Sequence, residues 1–361
     1  MNKEIMDAKG VEELDRNFAV GEHFGRDDIR FFDVKKTPEY LFGLIFDEQF
    51  FYRMPKALAA AIGAEVTSLN RNTSGGRIRF RTNSPFVAIS VKREKIGLLP
   101  HMALSGTSGF DLYVDGRFAG AFIPPSKDGV GYDRIINLDD GEAREREIMI
   151  HFPLYFRVEN ICVGVQEDAT VSAPTPYTPS RPVVFYGSSI TQGGCVSRPG
   201  LAYPAYVSRW LGCDYINLGF SGNAKGEPIM AEYIASLAPS VLVMDYDYNA
   251  PTYEHLAATH YAFYERFRAL CPDTPVVMIS SPSVRWHSEM YARRDLIRSH
   301  YEKAVKNGDA HVLFVDGETL MGGEDWDSCT VDGCHPNDLG HYFMAKGIAP
   351  AVREALAMVK A

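Results

Sequence analysis

Four prolines within the eleven residues Ser172-Ala173-Pro174-Thr175-Pro176-Tyr177-Thr178-Pro179-Ser180-Arg181-Pro182 divide this chain into halves of different periodicity. Each proline removes a ladder donor and biases its predecessor to extended backbone, so neither a helix nor a central strand continues through this stretch. It reads as a stiff linker. The chain has 361 residues, more than the roughly 250–300 at which a single core stops growing. Two domains are therefore expected: residues 1–170, a Pro-rich linker over 171–182, and residues 183–361.

Before the linker the pattern is β. Arg77-Ile78-Arg79-Phe80-Arg81 alternates with period two, and Asn83-Ser84-Pro85 turns the chain into a second run over residues 86–91. Residues 110–114 lead through Asp115-Gly116, a hairpin signal, into residues 117–123. Residues 147–152 and 160–165 add strands. Many short strands between Gly, Pro and Asp turns predict an antiparallel sandwich of jelly-roll type. The first 60 residues are less legible, and residues 58–62 fit either a short helix or a loop.

After the linker, short apolar runs alternate with helix-like segments. Residues 183–186, 215–218, 241–245, 276–280 and 312–315 suit buried parallel strands. Helices are expected over about 203–211, 228–237, 253–270, 289–305 and 337–358, the last with Pro336 at its first turn. Five βα units predict a three-layer α/β domain, flavodoxin-like, with five parallel strands and its sites at their carboxyl ends.

Composition narrows the partners. A net charge of −9, without a basic stripe or arm, argues against nucleic acid. No run of about 18 apolar residues offers a membrane span, and residues 1–18 lack the pattern of a secretory signal. A cytoplasmic protein is expected. The six cysteines (162, 195, 213, 271, 329 and 334) are dispersed without CxxC pairs, which disfavours a disulfide framework or a zinc ribbon.

Chemistry concentrates at the strand ends of the second half. Gly187-Ser188-Ser189-Ile190-Thr191-Gln192-Gly193 follows its first strand, and Asp332-Gly333-Cys334-His335 lies near the C-terminus. A serine hydroxyl needs an imidazole within hydrogen-bond reach and a group that fixes the imidazole's tautomer. Asp332 and His335, three residues apart, fit on one turn with the carboxylate against Nδ1 and Nε2 left for Ser189. Read locally, the two serines also suit a helix cap. The second strand leads into Gly219-Phe220-Ser221-Gly222-Asn223 and the third into Asp245-Tyr246-Asp247-Tyr248-Asn249. Gly222 lets a backbone N–H approach a substrate oxygen, and the Asn249 amide supplies a second donor. Asp247 is the competing side chain there, but a carboxylate repels an oxyanion.

Four loops, each after a different parallel strand, thus offer Ser, Gly, Asn and Asp-x-x-His in sequence order. In this the chain resembles the SGNH (GDSL-like) hydrolase superfamily. Gly109-Phe110-Asp111-Leu112-Tyr113, together with Ser197-Arg198-Pro199-Gly200 and Phe152-Pro153-Leu154-Tyr155, resembles its two-domain branch, which carries an N-terminal Gly-x-Asp-Leu-Tyr domain. The likeness runs from about residue 42 to about 349. It implies Ser189 as nucleophile, His335 as general base and Asp332 as its orienting partner. The Ser189 N–H, Gly222 and Asn249 would then form the oxyanion hole. Ser188 stands where the superfamily often has Asp, and the third block departs from the usual Gly-x-Asn-Asp.

The expected activity is a serine esterase releasing short acyl groups, acetyl foremost, from a hydroxyl-rich small molecule or oligosaccharide, with no cofactor and no metal. An acyltransferase using the same residues is the alternative within the class, and a silent carbohydrate-binding protein the alternative outside it. Arg198 fits a substrate-binding role or a loop-bracing salt bridge. Tyr248, with Tyr246, fits a sugar platform or strand-end packing. Cys195 reads as a small buried thiol. His255, His260, His287 and His341 lack metal spacing and read as surface or structural.

Overall fold

The computed structural model describes residues 26–359, apart from 96, 126–128, 139–143, 283–284 and 286–287. Residues 1–18 and His287, both read above, lie outside the described residues. In the first half the strands are β1 (Ile29–Asp33), β2 (Leu41–Phe42), β3 (Ile45–Phe46), β4 (Phe51–Tyr52), β5 (Arg77–Thr82) and β6 (Phe86–Arg93). They continue as β7 (Phe110–Val114), β8 (Arg117–Phe122), β9 (Gly131–Asn137), β10 (Arg146–His151), β11 (Val158–Gln166) and β12 (Val171–Ser172). Antiparallel pairing gives one sheet of order β1-β11-β6-β9 and a second of order β12-β5-β10-β7-β8 with β2 beside β5.

Alternation makes these sheets into a sandwich. Val87, Ile89, Ile161 and Val163 of one sheet meet Ile78, Phe80, Leu112, Ile148 and Ile150 of the other in a shared core, all of them fully buried. Burying each such side chain contributes about 1.5–3 kcal/mol. Asp115 (φ +50) and Gly116 (φ +78) form the turn of the β7–β8 hairpin, which needs positive φ at both positions. The uncertain stretch 58–62 lies in a helix, α1 (Lys56–Ile62), followed by α2 (Ala64–Leu69) and α3 (Leu104–Thr107). Sequence reading missed β1 and β9, which are the two outer strands of the first sheet.

The Pro-rich segment does not hang free between the domains. Val171–Ser172 pair with β5, the Ala173 and Thr175 carbonyls accept from Arg81 and Arg79, and Tyr177 lies 3.8 Å from the Arg79 guanidinium. It runs as a strap over the outer face of the second sheet.

The second half is an α/β domain of five parallel strands: β13 (Val183–Gly187), β14 (Tyr215–Gly219), β15 (Val241–Asp245), β16 (Val276–Ile279) and β17 (Val312–Val315). Their order, β14-β13-β15-β16-β17, is the doubly wound flavodoxin-like order, with its switch point beside β13. Its helices are α4 (Ser189–Gln192), α5 (Tyr203–Leu211), α6 (Pro228–Ser236), α7 (Tyr253–Leu270), α8 (Glu289–Lys306) and α9 (Asp338–Met358). One face of the sheet packs against α6, α7 and α8 through Ile234, Phe263 and Ile297. The other packs against α5 and α9 through Val207, Met344 and Ile348. Expected and observed strands agree within a residue at each end. Pro336 lies outside α9 rather than in its first turn, because Asn337 caps that helix by accepting from the Leu339 and Gly340 N–H groups. Among the described residues no helix is long and apolar enough to cross a membrane.

Buried charge joins the two domains. The Arg77 guanidinium donates to the Tyr215 carbonyl at 3.0 Å and pairs with Asp214. Arg53 donates to the Gly219 and Leu69 carbonyls and lies 4.2 Å from the centre of the Phe220 ring. On the other side Asp111, fully buried, accepts from Arg198 (2.9 Å), the Gly200 N–H (2.8 Å) and His151 Nδ1 (2.9 Å). Burial works to raise the Asp111 carboxyl, but its His151 and Arg198 neighbours and the Gly200 N–H outweigh it and hold it below the ordinary value. Burial lowers the His151 pKa, consistent with a neutral ring that donates from Nδ1 and whose Nε2 has no hydrogen-bond partner among the described residues.

Removing one member of such a buried set strands the others. Asp111→Ala is expected to destabilise the protein by about 3–5 kcal/mol, read as a lowered urea midpoint. A loss of unfolding free energy under about 1 kcal/mol would show that the cluster is not a structural joint.

Candidate active site

β13 exits beside β15, and only glycine fits the exit. A Cβ on Gly187 would overlap the Thr191 side chain and the Asp245 carbonyl. Ser188 then caps α4: its Oγ accepts from the Ile190 N–H at 3.1 Å, and its own N–H donates to the Asp245 carbonyl at 3.1 Å. Ser189 is the first helical residue, and a first-turn N–H has no intrahelical acceptor. Its Oγ lies 2.9 Å from His335 Nε2.

The imidazole is held from behind. Asp332 Oδ2 lies 2.8 Å from His335 Nδ1, and Oδ1 accepts from the N–H groups of Cys334 (3.0 Å) and His335 (2.7 Å). The carboxylate is thereby tied to the backbone of the turn it orients. Partial burial works to raise Asp332, but the His335 and Cys334 N–H groups and the imidazole outweigh it and keep the carboxylate ionised. A proton on Nδ1 leaves Nε2 as the acceptor for the serine hydroxyl, the geometry that general-base activation requires.

Gly222 and Asn249 close the other side. Gly222 takes φ +67, a conformation open to glycine without strain. Its N–H donates to Asn249 Oδ1 at 3.1 Å, and Asn249 Nδ2 donates to the Phe220 carbonyl at 2.8 Å. Asn249 lines the cleft beside Ser189, whereas Asp247 is turned into the protein, accepting from the Ser281 N–H at 2.8 Å. Burial raises Asp247 to about 6. Arg293 ties this corner together by donating to the Asp247 and Ala250 carbonyls, both at 2.7 Å.

Beneath Ser189 lies a polar node. Asp245 Oδ2 accepts from Thr191 and Tyr203, each at 2.9 Å. Burial, and then the neighbouring Asp247 carboxyl, push Asp245 up to about 8.

The cleft encloses about 760 Å³ and draws on both domains. Leu69, Leu99, His101, Met102 and Tyr155 come from the β half, and Tyr248, Glu289 and Met290 from the α/β half. Sequence reading missed Tyr155, whose hydroxyl lies 3.0 Å from Ser221 Oγ and 3.3 Å from the Ser189 carbonyl. Its motif, Phe152-Pro153-Leu154-Tyr155, was visible, but no periodicity says that it reaches across a domain boundary.

Other expected residues divide. Tyr248 lines the cleft. Arg198 does not: its guanidinium is held by Asp111, by Tyr113 (2.6 Å) and over the Phe118 ring (3.7 Å). Tyr246 is buried and bonds to Thr259, so it is packing. His341 is buried and its Nε2 lies 3.0 Å from the Gly194 carbonyl, while His260 stacks on His300. His255 Nε2 lies 2.9 Å from the Lys225 carbonyl.

Two outcomes are expected. Tyr155→Phe removes the bond to Ser221, worth about 1 kcal/mol, and lowers kcat for ester hydrolysis about five- to tenfold. An unchanged kcat would reduce Tyr155 to a wall of the cleft. For Asp245 and Asp247 the folded pKa values, about 8 and about 6, lie above the ordinary 3.8. Their contribution to stability is then complete below about pH 4 and is lost as pH rises through 6 and 8. Asp245→Asn is expected to flatten the fall in melting temperature between about pH 6 and pH 8, followed by circular dichroism. A parallel fall in variant and parent would place the cause elsewhere.

Comparisons with known proteins agree with this architecture. The model of the GDSL-like lipase/acylhydrolase family matches residues 180–353, and that of the N-terminus of SGNH-hydrolase-type esterases, the GxDLY domain, matches residues 29–171. Among solved structures, a Bacteroides ovatus protein described as a GDSL-like lipase is 30% identical with a TM-score of 0.80, the match covering 91% of this chain and 98% of that one. The salicylyl-acyltransferase SsfX3 of a tetracycline biosynthetic pathway is 21% identical with a TM-score of 0.72, covering 93% and 98%. A family two carbohydrate esterase from Clostridium thermocellum, solved with cellohexaose, is 15% identical with a TM-score of 0.60, covering 89% and 99%. No curated protein matches the sequence. With both halves matched in order and a structural relative at 30% identity over nearly its whole length, the chain belongs to the GDSL-like (SGNH) hydrolases that act on esters, in their two-domain GxDLY form.

Proposed function

We propose that this protein is a serine esterase that removes short acyl groups, acetyl foremost, from a hydroxyl-rich substrate such as a carbohydrate. The observation that carries the reading is the unbroken chain from Ser189 Oγ through His335 Nε2 and Nδ1 to Asp332, with links of 2.9 and 2.8 Å. Ser189 Oγ attacks the ester carbonyl as His335 takes its proton. The oxygen of the tetrahedral intermediate is met by the Ser189 N–H, the Asn249 amide and the Gly222 N–H. Protonated His335 then gives its proton to the leaving alcohol oxygen, and the C–O bond to that alcohol breaks. Water, deprotonated by His335, attacks the acyl-serine, and collapse of the second intermediate returns the Ser189 hydroxyl and releases the acid. All of this is performed by residues of the chain.

The substrate class is supported by the cleft. Tyr248, Glu289 and Arg293 give it a polar rim suited to hydroxyl groups, and the carbohydrate esterase that shares this fold was solved with cellohexaose. Apolar walls at Leu69, Leu99, Met102 and Met290 also favour a second reading. They suit a larger acyl group or a less polar acceptor, as an acyltransferase would use, and one such enzyme shares the fold. Competition between water and added alcohols for an activated acyl ester separates the two.

Hydrolysis of short p-nitrophenyl esters and acetylated sugars is the direct test. Ser189→Ala and His335→Ala are expected to lower kcat/KM by on the order of 10³-fold or more, and Asn249→Ala by about 10²–10³. If the parent binds sugar but hydrolyses no ester, the protein is a silent binding module. If turnover survives both triad substitutions, the site lies elsewhere.

A further inference from the structure

Cys195 takes no part in the acyl transfer, yet its placement calls for a cause. It lies in the left-handed region (φ +71), directly after Gly193 (φ +102) and Gly194. Glycine would take this conformation without strain, but the position carries a Cβ and a sulfur. His341, through the Gly194 carbonyl, fixes the peptide that precedes it. The side chain is buried, and burial pushes the thiol up to about 12, so the sulfur is not a standing thiolate nucleophile.

Two imidazoles face that sulfur. One is His335, and the other is His101, brought across from the β half. One ligand atom from each of His101, Cys195 and His335 lies within 4.8 Å of the other two, and the two rings are centred 5.7 Å apart. In a tetrahedral zinc site, bonds of about 2.0–2.3 Å place ligand atoms roughly 3.3–3.8 Å apart. Closing the difference takes about 1 Å of side-chain movement, and His101 is exposed at the cleft mouth. Two nitrogens and a sulfur suit zinc and exclude magnesium and calcium, which require oxygen donors.

We propose that His101, Cys195 and His335 form a binding site for one zinc ion, and that its occupancy switches the active site off. As the S–Zn bond forms, the Cys195 thiol releases its proton to solvent. Both histidines bind as neutral imidazoles, and a water takes the fourth position. With its Nε2 lone pair on the metal, His335 no longer accepts the Ser189 proton. The inhibitory effect rests on the esterase reading, but the site itself does not. It explains why a thiol stands at a glycine-like position and why His101 reaches across the domain boundary.

The test titrates the full-length protein with ZnCl2 by calorimetry, and with CoCl2 followed by the thiolate-to-cobalt absorption band. Expected are one equivalent of zinc, a band that vanishes in Cys195→Ala, and affinity at least tenfold weaker in both Cys195→Ala and His101→Ala. Ester hydrolysis by the parent is expected to fall with zinc occupancy and return with EDTA, while Cys195→Ala stays active and resists zinc. Cys195→Ser replaces that variant if circular dichroism shows the alanine form to be misfolded. Asp332, Cys334 and His335 form a second group of three close donors, so Cys334→Ala serves as the control and is expected to bind zinc as the parent does. Zinc bound equally well by Cys195→Ala, binding lost in Cys334→Ala, or no stoichiometric binding at about 50 µM metal would each overturn the proposal. A protein that binds cobalt through Cys195 but hydrolyses no ester keeps the site and removes the esterase reading.

Discussion

Two guanidinium groups from the β half, those of Arg53 and Arg77, are buried against the edge strand of the parallel sheet, and the rest of the site depends on where they hold it. An edge strand presents unpaired carbonyls. Arg77 takes the Tyr215 carbonyl at the start of β14, and Arg53 takes the Gly219 carbonyl at its end. Burial works against the Arg77 charge, but Tyr177 and Asp214 outweigh it. Arg53 is met by carbonyl oxygens and the face of Phe220, and burial lowers it to about 9, still charged at neutral pH. Because a buried charge cannot give up its partners cheaply, both ends of β14 are fixed to the β half. The loop that follows, with Phe220, Ser221 and Gly222, inherits that position.

The same logic extends to the loop after Ser189. Asp111, from the Gly-x-Asp-Leu-Tyr strand, holds Arg198 and the Gly200 N–H, and Ser105 Oγ donates to the Ser197 carbonyl. Asp338 at the start of α9 accepts from Ser197 on the other side, at 2.7 Å from its N–H and 2.6 Å from its hydroxyl. The segment between the serine and histidine loops is thus clamped by the β half and by the helix that follows His335. The β half therefore acts as part of the site's frame and not as an appended module. It supplies a wall of the cleft as well as its supports.

Legibility followed the reach of each interaction. The five parallel strands, the helices between them and the order Ser, Gly, Asn, His were readable because each rests on local apolar runs and strand-end turns. Asp332 and His335 were readable because their contact spans three residues. The contributions of Arg53, Tyr155 and His101 were not, because they meet the site across the domain boundary. Arg77 and Arg79 show the reason in another form. In an alternating strand the arginines mark the face expected in solvent, yet here they are buried under β14 and the Tyr177 strap. A second layer covered the face that the pattern labels as wet. Arg198 resolves to the loop-bracing salt bridge of its two readings, but its partners, Asp111 and Tyr113, lie 85 or more residues away in sequence and so could not be named from it.

The arrangement of Gly222 and Asn249 carries the remaining question of how rigid the site is before substrate arrives. An isolated asparagine amide rotates freely, and orienting it during the reaction would cost part of what it contributes. Here Oδ1 is pinned by the Gly222 N–H and Nδ2 by the Phe220 carbonyl. Those two bonds fix the amide plane and decide which end is the donor. Nδ2 retains a second hydrogen for a ligand. The Gly222 N–H, by contrast, is already bonded to Asn249 Oδ1. In this geometry Gly222 sets the orientation of the Asn249 amide, whose remaining hydrogen is left at the cleft. A positive-φ turn that only glycine takes without strain holds its N–H at that carbonyl oxygen, and the turn is itself fixed by β14. The buried arginines and the Asn249 amide at the cleft are thereby parts of one rigid chain of contacts.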